Sequence, residues 1–239
     1  MGIFSKAKKK KEEALPGDFE VLHKQIFTDV KPFTMTSPER IFGLIEAVKY
    51  ISQHKIEGDI TECGVWKGGS MLAIAKTLQY MNDANRQLYL YDTFSGMSTP
   101  TEADKTIDNK KAADMLKKSD NKTSEVWAYS GLDEVKATMA RSGYTGSLVH
   151  FVEGKVEDTI PRVLPGKIAL LRLDTDWYES TRHELIHLFP LLVKGGVLII
   201  DDYGFWKGAR KAVDEYFAAN KTQIFLNRMD DTGRIAIKQ

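Results

Sequence analysis

The sequence predicts an α/β doubly wound sheet, on three observations. Short apolar strands recur between amphipathic helical stretches: DITEC (59–63), QLYLYD (87–92), SLVHFV (147–152), IALLRLD (168–174) and GGVLIIDDY (195–203). This alternation specifies largely parallel strands joined by helical crossovers. The first strand runs straight into a glycine-rich loop, Gly64 to Ser70, and then the helical MLAIAKTLQYM, which offers backbone N–H groups to an anionic or polar ligand at a helix N-terminus. The chain closes on two strand-like stretches around Asp231-Thr232-Gly233, a hairpin signal.

Taken in order, residues 1–18 open with a lysine run followed by acids, punctuated by Pro16 and Gly17, and are read as a disordered tail. Position 6 is Lys, so the N-myristoylation pattern is not met, and one short basic cluster without a lipid gives no stable membrane attachment. Residues 19–239 are read as one domain. Phe19 to Met35 is irregular; Thr36-Ser37-Pro38-Glu39 then starts a helix whose apolar face is Ile41, Leu44, Ile45 and Val48. Asp92, at the end of the second strand, is placed to accept hydrogen bonds from a ribose diol. The polar, lysine-rich stretch from about 94 to 146 exceeds a normal crossover and is predicted to form a lid, with Phe94, Met97, Trp127 and Tyr129 as apolar contacts. Inside it, SGLD (130–133) opens a helix that turns Leu132, Val135 and Met139 inward and stops at Gly143. After Tyr203, GARKAVDEYFAAN is a helix with Ala212, Val213, Tyr216 and Phe217 on its apolar side.

The fourth and fifth strands deliver Asp174, Asp201 and Asp202, with Arg172 and Asp176 close by. Burying an unpaired carboxylate costs on the order of several kcal/mol, so a cation is the expected partner. Asp174, Asp201 and Asp202 are the candidate metal ligands, and hard oxygen donors select Mg²⁺, Mn²⁺ or Ca²⁺.

The net charge of +1 with interspersed signs gives no nucleic-acid footprint. Cys63 is the only cysteine, so neither an intrachain disulfide nor a cysteine zinc site forms, and a reducing compartment fits. With no membrane-length apolar run and no secretory signal, the expected localisation is cytoplasmic. Two rival motifs fail on context. His183-Glu184-Leu185-Ile186-His187 matches the HExxH zinc-protease pattern, but a helical wheel buries Leu185, Leu188, Phe189 and Leu192 and turns both histidines toward solvent. A nicotinamide oxidoreductase needs G-x-G-x-x-G, which Gly64, Gly68 and Gly69 do not provide, and hydride transfer leaves the acids without a task.

GDITECGVWKGGS, LYLYDTFSGM, IALLRLDTDWYEST and GGVLIIDDYG, in that order, resemble the macrocin O-methyltransferase family, and the likeness extends from about Thr34 to Tyr216. The resemblance implies a class I, Rossmann-like S-adenosylmethionine-dependent fold: a seven-stranded, mostly parallel sheet with helices on both faces and an antiparallel last strand. It implies that Glu62, Gly64, Val65, Trp66, Gly68 and Ser70 surround the methionine part of S-adenosylmethionine and that Asp92 holds the ribose. By the same likeness Val156 and Glu157 flank the adenine, and TMTSPER (34–40), with Met35 and Thr36, closes over the cofactor. Asp174, Asp201 and Asp202 match the family's ligands for a divalent metal, usually Mg²⁺. Asp174 is then the first choice of general base and Asp176 the second. The implied acceptor is a hydroxyl of a sugar or related small-molecule natural product, glycosylated; a homo-oligomer is compatible. The alternative is a non-catalytic S-adenosylmethionine-binding protein.

Overall fold

The computed structural model describes residues 15–239, so the predicted tail falls outside the described residues up to position 14. The chain enters through α1 (Val21–Val30), a short 3₁₀ turn and α2 (Pro38–Gln53). The stretch expected to be irregular is therefore mostly helical. Its starting signal is easy to miss, because His23 Nδ1 accepts the Glu20 N–H at 3.1 Å where a capping box ordinarily uses Glu or Gln. Ile26, Phe27 and Val30 then bury one side of α1. At the start of α2, Ser37 Oγ accepts the Arg40 N–H at 3.2 Å and Pro38 takes the first helical position, a cap that contributes about 1 kcal/mol.

The remaining elements are β1 (Asp59–Cys63), α3 (Gly69–Tyr80), β2 (Leu88–Asp92), α4 (Ala112–Lys117), α5 (Leu132–Ala140), β3 (Val149–Glu153), α6 (Val156–Thr159), β4 (Ile168–Leu173), α7 (Tyr178–Leu188), β5 (Leu192–Ile200), α8 (Lys207–Ala219), β6 (Asn227–Arg228) and β7 (Arg234–Ile237). They form a seven-stranded sheet in the order β3-β2-β1-β4-β5-β7-β6. The first five strands are parallel, and β7 runs antiparallel to both β5 and β6. The order reverses between β1 and β4, and in open α/β sheets ligands bind outside the strand carboxyl ends at that switch point.

Strand alternation sends side chains to two cores. On β5, Val197 and Ile199 join α1, α2, α3 and α5 on one face, whereas Leu198 and Ile200 join α6, α7 and α8 on the other. All six residues of β4 are buried, including Arg172. Of the stretch predicted as a lid, α5 is a sheet-face helix whose Val135 and Met139 belong to the first core, and Phe94 joins them. Met97 and Trp127 pack elsewhere, in a small cluster with Ala112, Leu116, Trp177, Trp206 and Ala209. Tyr129 is exposed. At the other end, Thr222 to Leu226 was expected in a strand but has no ladder partner; only Asn227 and Arg228 pair with β7. Among the described residues no helix is long and apolar enough to cross a membrane.

Candidate active site

A cavity of about 460 Å³ opens at the carboxyl ends of the strands around this switch point. On one side lies the glycine loop. Gly64 has φ +83°, and a Cβ there would sit 2.1 Å from the Asp174 carbonyl oxygen, so only glycine lets the ends of β1 and β4 meet. Gly68, at φ +85°, occupies the N-cap of α3. A Cβ on Gly69 would meet the Phe33 carbonyl at 2.4 Å, so the N-terminal arm is seated directly on this loop. Asp92 fastens the loop to β2. Its Oδ2 accepts the N–H groups of Val65 (2.6 Å) and Trp66 (3.0 Å), and its Oδ1 accepts that of Phe94 (2.8 Å). Met35 and Thr36 reach the cavity from the arm, Val65, Trp66 and Ser70 from the loop, and Val156 and Glu157 from the start of α6.

Two predicted cofactor residues do not line the cavity. Gly68 faces Val135 on α5. Glu62, beside Arg172 in the β1–β4 register, is fully buried and pairs with the Arg172 guanidinium. Burial pushes the Glu62 carboxyl up to about 7, against the pull of Arg172.

The other side is acidic. Asp174, Asp176, Asp201 and Asp202 all line the cavity. Asp174, Asp176 and Asp202 can each place one oxygen within 4.8 Å of the others. Asp201 lies outside that triplet. Its Oδ2 is held by Arg40 and by Arg172 Nη2 (2.9 Å), while its Oδ1 is buried without a partner. Arg172 Nη1 also lies 2.9 Å from Asp174 Oδ2, and Nη2 donates to Thr36 Oγ1 at 3.2 Å. Asp176 adopts the left-handed conformation, φ +70°. Burial raises its carboxyl to about 7, the charges of Asp174 and Asp201 add to that, and bonds to Asp202 and Trp206 oppose it. Burial likewise holds Asp174 and Asp202 well above the usual carboxylate range. Glu62, Asp174 and Asp201 thus share the guanidinium groups of Arg40 and Arg172, whereas Asp176 and Asp202 enter no ion pair among the described residues and Asp202 Oδ2 is also buried without a partner. Such an excess of hard oxygen donors fits a divalent cation.

Several site residues carried no sequence expectation. Arg40 reaches Asp201 from the TMTSPER segment and Asp230 from the closing hairpin. Asp104, buried in the predicted lid, accepts the Tyr178 N–H at 2.8 Å and so anchors the start of α7. Trp177 packs edge-on against Trp206 at 4.9 Å and donates to the Ser98 carbonyl. The histidines of the HExxH pattern are half-buried rather than solvent-facing. Their rings lie tilted to each other with centroids 4.4 Å apart, and His183 bonds the Ile160 carbonyl. The wheel failed here because α7 is covered by α6 and α8 as well as by β4, which widens its buried arc.

A seven-stranded sheet of this order, with a glycine loop after β1, an acid ending β2 and an antiparallel last strand, defines a class I, Rossmann-like methyltransferase. The family model for macrocin O-methyltransferase (TylF) matches residues 4–237. The chain belongs to this family of O-methyltransferases. It is 32% identical over 200 residues to the 8-demethyl-8-(2,3-dimethoxy-alpha-L-rhamnosyl)-tetracenomycin-C 4'-O-methyltransferase of Streptomyces olivaceus, covering 84% of this chain and 73% of that protein. It is 31% identical to the mycinamicin III 3''-O-methyltransferase of Micromonospora griseorubida, covering 77% of this chain and 69% of that protein. Among solved structures, the O-methyltransferase NovP superposes with a TM-score of 0.75 at 28% identity, covering 87% of this chain and 82% of that one.

Proposed function

We propose that the protein transfers the methyl group of S-adenosylmethionine to a sugar hydroxyl of a glycosylated small molecule, with a divalent cation held by its acidic loops. The observation that carries this reading is the convergence of Asp174, Asp176 and Asp202 in the same cavity as the glycine loop and Asp92. The tetracenomycin relative named above is an O-methyltransferase of a rhamnosyl-bearing compound, which favours the same acceptor class here.

The sulfonium methyl is already electrophilic, so the chain's task is alignment and proton removal. The loop from Gly64 to Ser70 and the N-terminus of α3 hold the methionine part, Asp92 the ribose, and Val156 and Glu157 the adenine. Thr36, tied to Arg172, keeps the TMTSPER segment over that half of the cavity. Asp174 and Asp202 would hold the cation, with the unpartnered Oδ1 of Asp201 as a further oxygen donor lining the same cavity. Mg²⁺ is the expected ion, and when bound it supplies the Lewis acidity that stabilises a developing alkoxide.

Asp176 takes the hydroxyl proton. Asp174 is the second choice because its Oδ2 is already engaged by Arg172 at 2.9 Å and it is one of the proposed cation ligands, whereas Asp176 enters no ion pair among the described residues. The test is turnover of labelled S-adenosylmethionine with a hydroxylated glycoside, run beside a calorimetric titration of the cofactor. Absence of cofactor binding overturns the reading. Binding without methyl release onto any glycoside restores the non-catalytic alternative.

A further inference from the structure

Glu184 sits in the middle of α7 with its carboxyl fully buried, and methyl transfer as described above does not use it. Its Oε1 accepts the Thr175 hydroxyl at 2.8 Å, and its Oε2 is buried with no hydrogen-bond partner. Burial pushes this carboxyl well above the usual range, which favours the neutral acid. An apolar residue would occupy this buried position of α7 without leaving a polar atom unpaired. The placement of the carboxyl therefore points to its partner.

Thr175 stands between Asp174 and Asp176. The left-handed Asp176 is a conformation that persists only where surrounding contacts determine it. The turn is pinned at one end by Asp174 N–H to the Cys63 carbonyl (2.8 Å). At the other it is held by Trp177 N–H to the Thr175 carbonyl (2.8 Å) and Tyr178 N–H to Asp104 (2.8 Å). The Thr175 side chain ties the middle of the turn to α7. We infer that Glu184 is a positioning residue: by accepting the Thr175 hydroxyl it holds the turn 174–176 so that the carboxylates of Asp174 and Asp176 converge with that of Asp202. The glutamate of the HExxH pattern thus serves the acid loop beside it and needs no zinc.

The consequence for metal rests on the cation site proposed above; the consequence for the turn does not. Three variants separate the possibilities: Glu184→Ala, Thr175→Val, which removes the hydroxyl at nearly constant volume, and Glu184→Gln, which keeps an acceptor oxygen. Two quantities are measured in each, namely amide hydrogen exchange of the peptide spanning 174–178 and Mn²⁺ affinity by calorimetry. Glu184→Ala and Thr175→Val should raise exchange in that peptide, with β1 and β5 unchanged, and weaken Mn²⁺ binding about tenfold, the usual scale for partners behind a ligand shell. Glu184→Gln should restore both quantities, and the double variant Glu184→Ala, Thr175→Val should be no worse than either single change.

Unchanged exchange in folded Thr175→Val overturns the inference, as does a Glu184→Gln variant as damaged as the alanine. If Glu184→Ala does not fold, those two variants still decide. If the native protein binds no Mn²⁺, the cation reading fails while the exchange measurement still decides the positioning role.

Discussion

At the scale of single residues, the acids divide by what already holds them. Asp176 has no guanidinium partner, whereas Asp174 and Asp201 share Arg172. Asp176→Asn should therefore lower kcat by about 10²- to 10⁴-fold, the range for losing a general base, with cofactor affinity unchanged by calorimetry. Asp202→Asn should instead raise the Mg²⁺ concentration needed for half-maximal rate; loss of kcat at saturating Mg²⁺ with no such shift argues against its being a ligand. Asp92→Ala removes an acceptor for three backbone N–H groups together with the acceptor proposed for a ribose. Cofactor binding should weaken by about 10- to 100-fold, from one charged hydrogen bond lost and a loop released, and unchanged affinity removes Asp92 from the site. The strand-terminal acids were legible because a carboxylate ending an apolar run has few structural reasons to be there. Asp201's engagement with Arg40 was not, since its partner lies on α2, far away in the chain. Nor was the burial of Glu184, which depends on how many elements cover α7.

At the scale of elements, the arm seated on the glycine loop is latched by the closing hairpin. Asp230 Oδ2 accepts the Ser37 hydroxyl at 2.6 Å and lies 2.9 Å from Arg40 Nε, while its Oδ1 accepts the N–H groups of Thr232 (2.9 Å) and Gly233 (2.7 Å). Burial opposes ionisation, but these partners prevail and bring the carboxyl from 3.8 down to about 2. A depressed folded-state pKa means stability that is present above the unfolded value near 3.8 and lost as pH falls through about 2. Asp230→Asn should cost on the order of 1–2 kcal/mol at neutral pH, after allowance for solvent screening. Denaturant unfolding should show that difference shrinking between about pH 4 and pH 2, and a difference that stays constant with pH removes the charge from the account. The five main strands and helices α2, α3, α5, α7 and α8 were legible from apolar period and caps, whereas the short α4 and α6 carried no expectation. The helix Val21–Val30 was not, because its capping partner is a histidine. The split of the hairpin into a two-residue edge strand and an unpaired run also escaped, since pairing at a sheet edge is decided by neighbours rather than by local sequence.

At the scale of the whole molecule, the topology separates two tasks that share one cavity. The glycine loop follows β1 and its fastening acid ends β2, whereas the acids follow β4 and β5 on the far side of the switch point. The sulfur of S-adenosylmethionine is cationic, so the proposed dication would gain nothing against it and would belong with the acceptor oxygen. The two ligand sites should accordingly respond differently to chelation. Exhaustive chelation should abolish methyl transfer to a glycoside, and Mg²⁺ should restore it, while S-adenosylmethionine affinity measured in parallel changes by less than about threefold, a coupling under 1 kcal/mol. Full turnover in chelator removes the cation from the mechanism. Loss of cofactor affinity together with turnover means that the acid loop shapes the cofactor half as well. The contact of Gly64 with the Asp174 carbonyl is the joint through which that coupling would pass, because there the two halves of the cavity touch backbone to backbone. Gly64→Ala tests that joint directly: forcing a Cβ against the Asp174 carbonyl should impair cofactor binding and Mn²⁺ binding together, whereas Asp202→Asn should impair only the second.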